Sequence, residues 1–334
     1  MKKIIFSILS ILLVITQLSG CSKSANESAA NENSAEPVIV MLDWVPNTNH
    51  TGLFVALANG YFDEEGIEVD IKERGQDASL VVVGQGKADF GIAAQEQVTF
   101  ARTADNPQPV VAVAAILQHN TTGYMSLASE NIITPKDFEG KVNGHNNMPT
   151  GLPIIETLMR LHDADPSKLR SVAHGGAIDA IQLLESEIDL VLVFRGWTGI
   201  QAELHEIDVN YVMIGEEDER FDFYTPIIIS NEDYLEKNPE TAKKFLRAVS
   251  RGYEFAINNP EEAAKILHQY TPETDFELLK RSILYLNNYY TDDSGRFGHM
   301  REEIWSMFSE FCLEHSIIER ELDVNAAFTN TYLP

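Results

Sequence analysis

Cysteine is almost absent from this sequence. Only Cys21 and Cys312 occur among 334 residues, too few for a disulfide framework. A chain of this length buries enough apolar surface to be stabilised by its core alone. Cys312 lies in an apolar pattern with helical spacing, which predicts a small buried side chain and not a reactive thiol.

Basic residues are also scarce. The chain has 25 Lys and Arg against 51 Asp and Glu, and its formal net charge is −26. This balance argues against nucleic acid as a partner and against direct binding to anionic lipid. It does not identify a ligand, because the local field inside a cleft can oppose the field of the whole molecule.

The usual motifs of enzyme chemistry are missing. The segment Gly84-Gln85-Gly86-Lys87-Ala88 lacks the glycine spacing and the following Ser or Thr of a phosphate-binding loop. Neither a Gly-x-Ser-x-Gly elbow nor a His-Glu-x-x-His pair occurs. His299-x-x-Glu302 places two possible metal ligands on one helix face without a third. We therefore expect no enzyme activity, no cofactor and no metal site.

The one extended apolar run lies at the N-terminus. Ile4 to Ile15 follows Lys2 and Lys3, and it is too short for a stable membrane span. It ends in Leu18-Ser19-Gly20-Cys21, which resembles a bacterial lipobox. We interpret residues 1–20 as a lipoprotein signal peptide and Cys21 as the lipidated residue. The alternative is an ordinary signal peptide with an incidental cysteine.

Residues 21–37 are rich in Ser, Ala, Asn and Glu and have no large apolar side chain. Such a segment cannot bury enough surface to fold, so we expect a disordered tether with an average span of roughly 20–25 Å. The predicted location is the outer face of the cytoplasmic membrane, with the lipid as the only membrane contact. Lipid on Cys21 would leave Cys312 without an intrachain disulfide partner.

From Val38 onward, strand and helix patterns alternate. This order predicts an α/β fold with a parallel sheet and right-handed crossovers. The pattern restarts after Thr134, which suggests two lobes. After a strand at Tyr224–Ser230 the chain reads as helical to its end, with a capping-box candidate at Thr274-x-x-Glu277.

The stretch from Asp43 to Gly52 is the most informative local feature. An apolar run ends at Asp43 and Trp44, polar residues follow, and a helical pattern begins near Thr51. In open α/β sheets, ligands bind at such turns beyond the carboxyl ends of strands. The other interpretation is a helix cap beside a buried tryptophan.

Several motifs together resemble the formylaminopyrimidine-binding proteins of thiamine-precursor salvage, which are substrate-binding lipoproteins of ABC importers. The similarity covers about residues 38–334. The motifs are Asp43 to Gly52, Gln95 to Arg102, Gln118 to Gly123, Gly196-Trp197-Thr198-Gly199, Tyr224-Thr225-Pro226, Gly252 to Ala256 and Ala327 to Asn330.

The resemblance implies a two-lobe, periplasmic-binding-protein-like fold of type II with a ligand cleft between the lobes. Lobe 1 would comprise residues 38–122 and 224–334, and lobe 2 residues 123–223, with hinges near Thr122 and Tyr224. The implied partners are an ABC permease and ATPase and a small heteroaromatic ligand, bound by a monomer. The ligand would be N-formyl-4-amino-5-aminomethyl-2-methylpyrimidine or a related precursor.

The family also resembles the fungal synthase that builds the same pyrimidine. That enzyme carries a cysteine-rich motif, which this chain lacks.

Matching positions give the candidate ligand-binding residues. Aromatic side chains would stack on the ring, and carboxylate or amide groups would pair with its edge. His50 and His119 could instead be structural, and Glu96 could simply favour a helix start. The candidates are Trp44, Asn47, His50, Gln95, Glu96, His119, Asn146, Arg195, Trp197 and Tyr224.

Three positions depart from the family pattern. Ala94 stands where a tyrosine is expected, residues 145–150 replace a tryptophan-glycine turn, and Arg195 stands where an aromatic residue is expected. These changes predict a larger, more polar pocket. Arg195 suits a carboxylate, phosphate or sulfonate. Alternatively, it pairs with Glu96 or another acid to close the lobes.

The alternatives therefore include a riboflavin-like or sulfonate ligand. A non-transport lipoprotein that presents a ligand to a sensor is a further class.

Overall fold

The computed structural model describes residues 36–174 and 179–334. The predicted signal peptide, the lipidation site Cys21 and the tether up to residue 35 lie outside the described residues. No helix within the described ranges is both long and apolar enough to span a bilayer.

The described strands form two five-stranded sheets. The first sheet has the order β2-β1-β3-β10-β4, and the second has the order β7-β6-β8-β5-β9. In chain order the strands are β1 (Val38–Met41), β2 (Val69–Lys72), β3 (Phe90–Ala93), β4 (Val110–Ala115), β5 (Thr122–Leu127), β6 (Val142–His145), β7 (Arg170–Ala173), β8 (Leu190–Phe194), β9 (Val209–Met213) and β10 (Ile227–Asn231).

Both sheets are mixed, so the expectation of a purely parallel sheet is wrong. In the first sheet, β10 pairs antiparallel with both β3 and β4. In the second sheet, β5 pairs antiparallel with both β8 and β9. Each of these two strands follows a passage of the chain from one sheet to the other. Each of the two strands therefore runs antiparallel to its neighbours in the sheet that it enters. The alternation of strands and helices along the sequence does not reveal this direction.

The helices cover the faces of the sheets, and the longest group follows β10. They are α1 (Thr51–Ala58), α2 (Tyr61–Glu64), α3 (Ser79–Gly84), α4 (Gln95–Thr103), α5 (Gly151–Leu161), α6 (Ala180–Leu184), α7 (Ile200–Leu204), α8 (Ile214–Glu217), α9 (Glu232–Lys237), α10 (Pro239–Asn258), α11 (Pro260–Tyr270), α12 (Phe276–Leu286), α13 (Glu302–Glu314) and α14 (Val324–Ala327).

Three local predictions need correction. The sequence pattern predicts no strand between Leu117 and Thr134, where the structure has β5. The N-cap of α12 is Asp275 and not Thr274, and its carboxylate accepts the backbone N–H of Leu278. The sequence pattern predicts a helix over Trp197–Ile207, whereas the structure has a π-helical turn over Arg195–Gly199 followed by α7. Such turns occur where the backbone is adapted to a neighbouring group.

The chain leaves the first sheet after β4 and returns to it at β10. All strands of the second sheet lie between these points, in residues 122–213. The lobe boundaries near Thr122 and Tyr224 fall on the two connecting segments. Their role as hinges remains a prediction.

One face of the first sheet packs against α1, α10, α11 and α12. Gly52 of α1 and Gly252 of α10 let these two helices approach closely. A Cβ on Gly252 would collide with the carbonyl oxygen of Gly52, and a Cβ on Gly52 would collide with the ring of Tyr253. Glycine is therefore required at this crossing.

A second core joins the two halves of the molecule. Phe308 and Phe311 of α13 lie 4.3 and 4.8 Å, between ring centroids, from Phe223 and Phe221. Cys312 of the same helix is fully buried, as predicted, and burial raises the pKa of its thiol to about 12. Helix α13 thus packs against residues of the segment that returns from the second sheet.

Candidate functional site

Two adjoining cavities lie between the sheets. The inner cavity has a volume of about 310 Å³ and the outer cavity about 350 Å³. Their walls share Asp43, Arg74, Phe194 and Thr225. Both cavities are within the general size range of ligand pockets, about 300–1,000 Å³.

The ends of the strands build the inner cavity. Ala93 ends β3 of the first sheet and Ala94 follows it, while Leu192 lies within β8 of the second sheet and Phe194 ends it. A wall at the carboxyl ends of strands is the expected ligand position in an open α/β sheet. Ala94, where a tyrosine was expected, contributes only a methyl group and leaves space beside it.

A buried carboxyl group faces the inner cavity. Glu96, in the first turn of α4, is 4% exposed and accepts a hydrogen bond from the hydroxyl of Thr150. Glu96 follows a strand of the first sheet and Thr150 precedes α5 beside the second, so this contact crosses the cleft. Burial raises the pKa of Glu96 above its ordinary value, although the Thr150 hydroxyl partly offsets this.

Asn143 of β6 also lines the inner cavity. Its side chain is buried, 2% exposed, and within the described residues its Oδ1 has no hydrogen-bond partner. An unpartnered buried acceptor costs the free protein about 1–3 kcal/mol of stability, a cost that a hydrogen-bond donor supplied by a ligand would remove. No motif in the sequence marks this residue.

Two tryptophans from opposite sides of the cleft line the outer cavity. The ring centroids of Trp44 and Trp197 lie 6.4 Å apart at an interplanar angle of 73°. Trp44 is 53% exposed, so the interpretation as a buried core tryptophan does not describe it. Asn47 lines the same cavity.

The polar turn after β1 is held by its own side chains. Nδ1 of His50 accepts the N–H of Asn47 at 3.3 Å, and Nε2 lies 2.8 Å from Oδ1 of Asp43. Oδ1 of Asn47 accepts the N–H of Asn49, so this side chain does cap the following turn. Burial would raise the pKa of Asp43, but the hydrogen bond and charge of His50 outweigh it and the pKa is lowered.

A buried hydroxyl chain fixes this turn to the other side of the cleft. The hydroxyls of Thr48 and Ser282 are 2.6 Å apart, and Ser282 donates to the carbonyl oxygen of Gly196. Because Gly196 precedes Trp197, this chain sets the spacing between the segments that carry the two tryptophans.

The structure brings five of the predicted residues to the two cavities: Trp44, Asn47, Glu96, Asn146 and Trp197. The other five, His50, Gln95, His119, Arg195 and Tyr224, line neither of them.

The side chains of these five residues have protein partners. Gln95 is fully buried: it accepts the N–H of Tyr224 and donates to the carbonyl of Ile304. The hydroxyl of Tyr224 accepts the N–H of Arg301. Nδ1 of His119 lies 2.6 Å from Oδ2 of Asp222. His50 belongs to the turn network described above.

Arg195 points away from both cavities. Its guanidinium lies over the rings of Tyr211 and Tyr285, 5.0 and 5.7 Å from their centroids. The aromatic group at this part of the cleft is the preceding residue, Phe194, which is 45% exposed and lines both cavities.

Comparison with known proteins identifies the family of this chain. A family model described as NMT1/THI5 like matches residues 47–263. The formylaminopyrimidine-binding protein of Halalkalibacterium halodurans is 30% identical over 97% of this chain and 98% of its own length. This chain belongs to the NMT1/THI5-like family.

Some relatives of this chain are enzymes and not binding proteins. The 4-amino-5-hydroxymethyl-2-methylpyrimidine phosphate synthase of Legionella pneumophila is 27% identical over 89% of this chain and 92% of its own length. Membership of the NMT1/THI5-like family therefore does not by itself separate binding from catalysis.

Among solved structures, the periplasmic aliphatic sulphonate binding protein SsuA from Escherichia coli aligns over 90% of this chain and 99% of its own, with a TM-score of 0.69 and 14% identity. This similarity confirms the predicted fold, that of a periplasmic binding protein.

Arg74 also lies in the cleft, although no sequence motif marks it. Its side chain is exposed, lines both cavities and donates one long hydrogen bond of 3.4 Å to the carbonyl oxygen of Asp43. It is the one Lys or Arg among the described residues that line the two cavities. Phe194 had a weak signal, since it ends a strong apolar strand where the cleft was expected.

Within the described residues, no group of three His, Cys, Asp or Glu side chains is arranged to hold a metal ion. The inner cavity is lined by two carboxyl groups, Asp43 and Glu96, by the Asn143 amide and the Arg74 guanidinium, and by apolar side chains such as Tyr124 and Ile154. This set suits a small flat molecule with a donor and an acceptor on one edge.

Proposed function

We propose that this protein is the lipid-anchored substrate-binding component of an ABC importer and captures N-formyl-4-amino-5-aminomethyl-2-methylpyrimidine or a related thiamine pyrimidine precursor. The observation that carries the proposal is the pair Glu96 and Asn143, buried on opposite sides of the inner cavity. Family membership and the 30% identical formylaminopyrimidine-binding protein support it.

The chemistry of the pair matches an aminopyrimidine edge. The Oδ1 of Asn143 accepts a hydrogen bond from the exocyclic amine, which is a donor. Glu96, whose pKa is raised by burial, shares a proton with the adjacent ring nitrogen, an acceptor. Tyr124 and Ile154 lie on the wall of the same cavity and exclude water around these bonds.

Capture would proceed by closure of the lobes about the segments near Thr122 and Tyr224. The ligand occupies the space between the sheets, and the contacts Glu96–Thr150 and Trp44–Trp197 form on either side of it. Closure produces the surface that the permease and its ATPase respond to. A lipid on Cys21 would keep the monomer at the outer face of the cytoplasmic membrane.

We propose binding and not catalysis for this cleft. The one cysteine in the described residues, Cys312, is fully buried in α13 and its pKa is raised to about 12, so its thiol is not a nucleophile in the cleft. Recovery of unchanged pyrimidine after prolonged incubation with the protein, followed by chromatography, checks this point.

The central experiment is thermal unfolding with and without N-formyl-4-amino-5-aminomethyl-2-methylpyrimidine. A ligand at one hundred times its dissociation constant stabilises the folded state by about 2.7 kcal/mol, so we expect Tm to rise by several degrees. The absence of any shift, together with a clear shift with riboflavin or an alkanesulfonate, would overturn the pyrimidine assignment.

A second candidate is the same transport role for an anionic ligand. Arg74 favours it, because this guanidinium stands at the junction of the two cavities. If Arg74→Ala removes binding of a sulfonate that shifts Tm in the wild type, the anionic candidate replaces the pyrimidine.

A further inference from the structure

The inner and outer cavities form one connected site. Four residues, Asp43, Arg74, Phe194 and Thr225, belong to the walls of both. A single six-membered ring with short substituents occupies only one of two cavities of about 310 and 350 Å³, so the other would hold water in the complex.

The two cavities differ in chemistry. The inner cavity offers the Glu96 carboxyl and the unpartnered Oδ1 of Asn143, which are directional hydrogen-bonding groups. The outer cavity is the one lined by the aromatic surfaces of Trp44 and Trp197, beside polar side chains such as Asn47. A polar ring edge belongs in the first and a flat apolar group in the second.

The two cavities are not simply a gap between separated lobes. Thr150 contacts Glu96 across the cleft beside the inner cavity. Trp44 contacts Trp197 across the cleft beside the outer cavity. The two sides therefore already touch beside both cavities, and the space between these contacts is available to a ligand.

We propose that the outer cavity is a second subsite, which accepts a flat aromatic group linked to the amino-substituted heteroaromatic ring in the inner cavity and packs it against Trp44 and Trp197. Phe194, exposed on the shared wall, lies beside the linker. This inference rests on the proposed function, since it places the pyrimidine-like ring on Glu96 and Asn143.

A matched pair of compounds tests the inference. The first is N-formyl-4-amino-5-aminomethyl-2-methylpyrimidine, and the second is its N-benzoyl counterpart, which keeps the same amide linker and adds one phenyl ring. Burial of a ring of this size is worth about ten- to a hundredfold in affinity. Isothermal titration calorimetry on the wild-type protein should therefore show the benzoyl compound binding at least about tenfold more tightly.

Two variants assign the gain to the outer cavity. Trp44→Ala should bring the ratio of the two affinities close to one; its side chain is 53% exposed, so the fold tolerates the change. Val45→Ala is the matched control: Val45 is the next residue, is 49% exposed and lines neither cavity. It should keep the wild-type ratio.

The outcomes separate the two claims. If the formyl compound binds and the benzoyl compound binds no more tightly, the two-ring inference is wrong and the proposed function stands. A tenfold preference that survives in Trp44→Ala also overturns the inference, because the second ring then lies elsewhere. If neither compound binds, both the inference and the pyrimidine assignment fail.

Discussion

The hydroxyl of Thr150 donates a hydrogen bond to the carboxyl group of Glu96 across the cleft. The two residues follow strands of different sheets, so this bond forms only when the two sides of the site are together. Glu96 thus belongs both to the wall that would contact a ligand and to the contact that holds the cleft closed.

Replacement of Glu96 by Gln should stabilise the unliganded protein, and increasingly so as pH rises. Burial raises the folded pKa of Glu96 above its unfolded value of about 4.3, so folding becomes less favourable as pH rises and the unfolded chain releases the proton first. The amide keeps an oxygen to accept from Thr150. Between pH 4 and pH 8, Tm of Glu96→Gln relative to the wild type should rise on the order of 1–3 °C.

Glu139→Gln is a control of opposite sign. The hydrogen bond from Lys168 and its other partners lower the pKa of Glu139 to about 2. Its contribution to stability is therefore present above the unfolded pKa and is lost as pH falls towards 2. The Glu96 interpretation is wrong if both variants show the same pH dependence.

Asn143→Leu should weaken binding of N-formyl-4-amino-5-aminomethyl-2-methylpyrimidine by about tenfold or more, while Tm of the free protein stays level or rises. The substitution removes a buried acceptor without a partner, which costs stability in the free protein but serves the ligand. Ser126→Ala is the matched control: Oγ of Ser126 is also buried and has no hydrogen-bond partner among residues 36–174 and 179–334, but Ser126 lines neither cavity. Calorimetry that shows equal losses for both variants would contradict the role of Asn143.

Gly252→Ala should destabilise the fold by about 3 kcal/mol or more. Its Cβ would overlap the carbonyl oxygen of Gly52, and neither backbone can move without displacing α1 or α10. Gly75→Ala serves as the control, since an added Cβ there meets no atom within 4 Å. Urea unfolding of both variants gives the comparison, and equal midpoints would show that the helices can separate at little cost.

His119 and Asp222 connect the two segments that join the sheets. The hydrogen bond to Asp222 raises the pKa of His119, so the stabilisation is present below the unfolded pKa near 6.5 and is lost as pH rises through the folded value. His119→Gln should therefore lower Tm at pH 6 and have little effect at pH 9. The side chain is about half exposed, so we expect less than about 1 kcal/mol.

A double-mutant cycle with Asp222→Asn isolates this pair. Asp222 also accepts the N–H of Asn120 at 2.7 Å, and the cycle removes that contribution. A coupling energy that is the same at pH 6 and pH 9 would exclude titration of His119 as the cause.

Arg195→Ala should lower Tm by a few degrees and leave the affinity for N-formyl-4-amino-5-aminomethyl-2-methylpyrimidine within about twofold of the wild type. The guanidinium packs on Tyr211 and Tyr285, contacts worth about 0.5–2 kcal/mol each, and it lines neither cavity. A tenfold loss of affinity, measured by calorimetry, would place Arg195 in the site after all.

Residues that line the cleft were easier to predict from the sequence when they follow a strand than when they lie inside one. Trp44 and Glu96 come directly after apolar runs, and both line the cleft. Asn143 lies within β6 and carries no local signal, because its exposure to a cavity depends on the strands beside it. Gln95 carried a local signal, but its partners are the backbones of Tyr224 and Ile304, more than one hundred residues away.

The same limit applies to the sheets. Alternation of strands and helices predicted the α/β class, but the direction of β5 and β10 is fixed by where the chain passes between sheets. Such a passage is a long-range property, since neither hydrophobic periodicity nor capping signals record the direction in which a strand is paired.

The position of β10 also determines the order in which this protein can be completed. β10 lies between β3 and β4, yet it is the last strand of the chain. Until residues 227–231 have left the ribosome, the first sheet has a gap in its interior. All strands of the second sheet, in residues 122–213, are available earlier. The first sheet, whose first strand is synthesised earliest, is therefore completed last. Until β10 is added, its unpaired strand edges must be kept from aggregation.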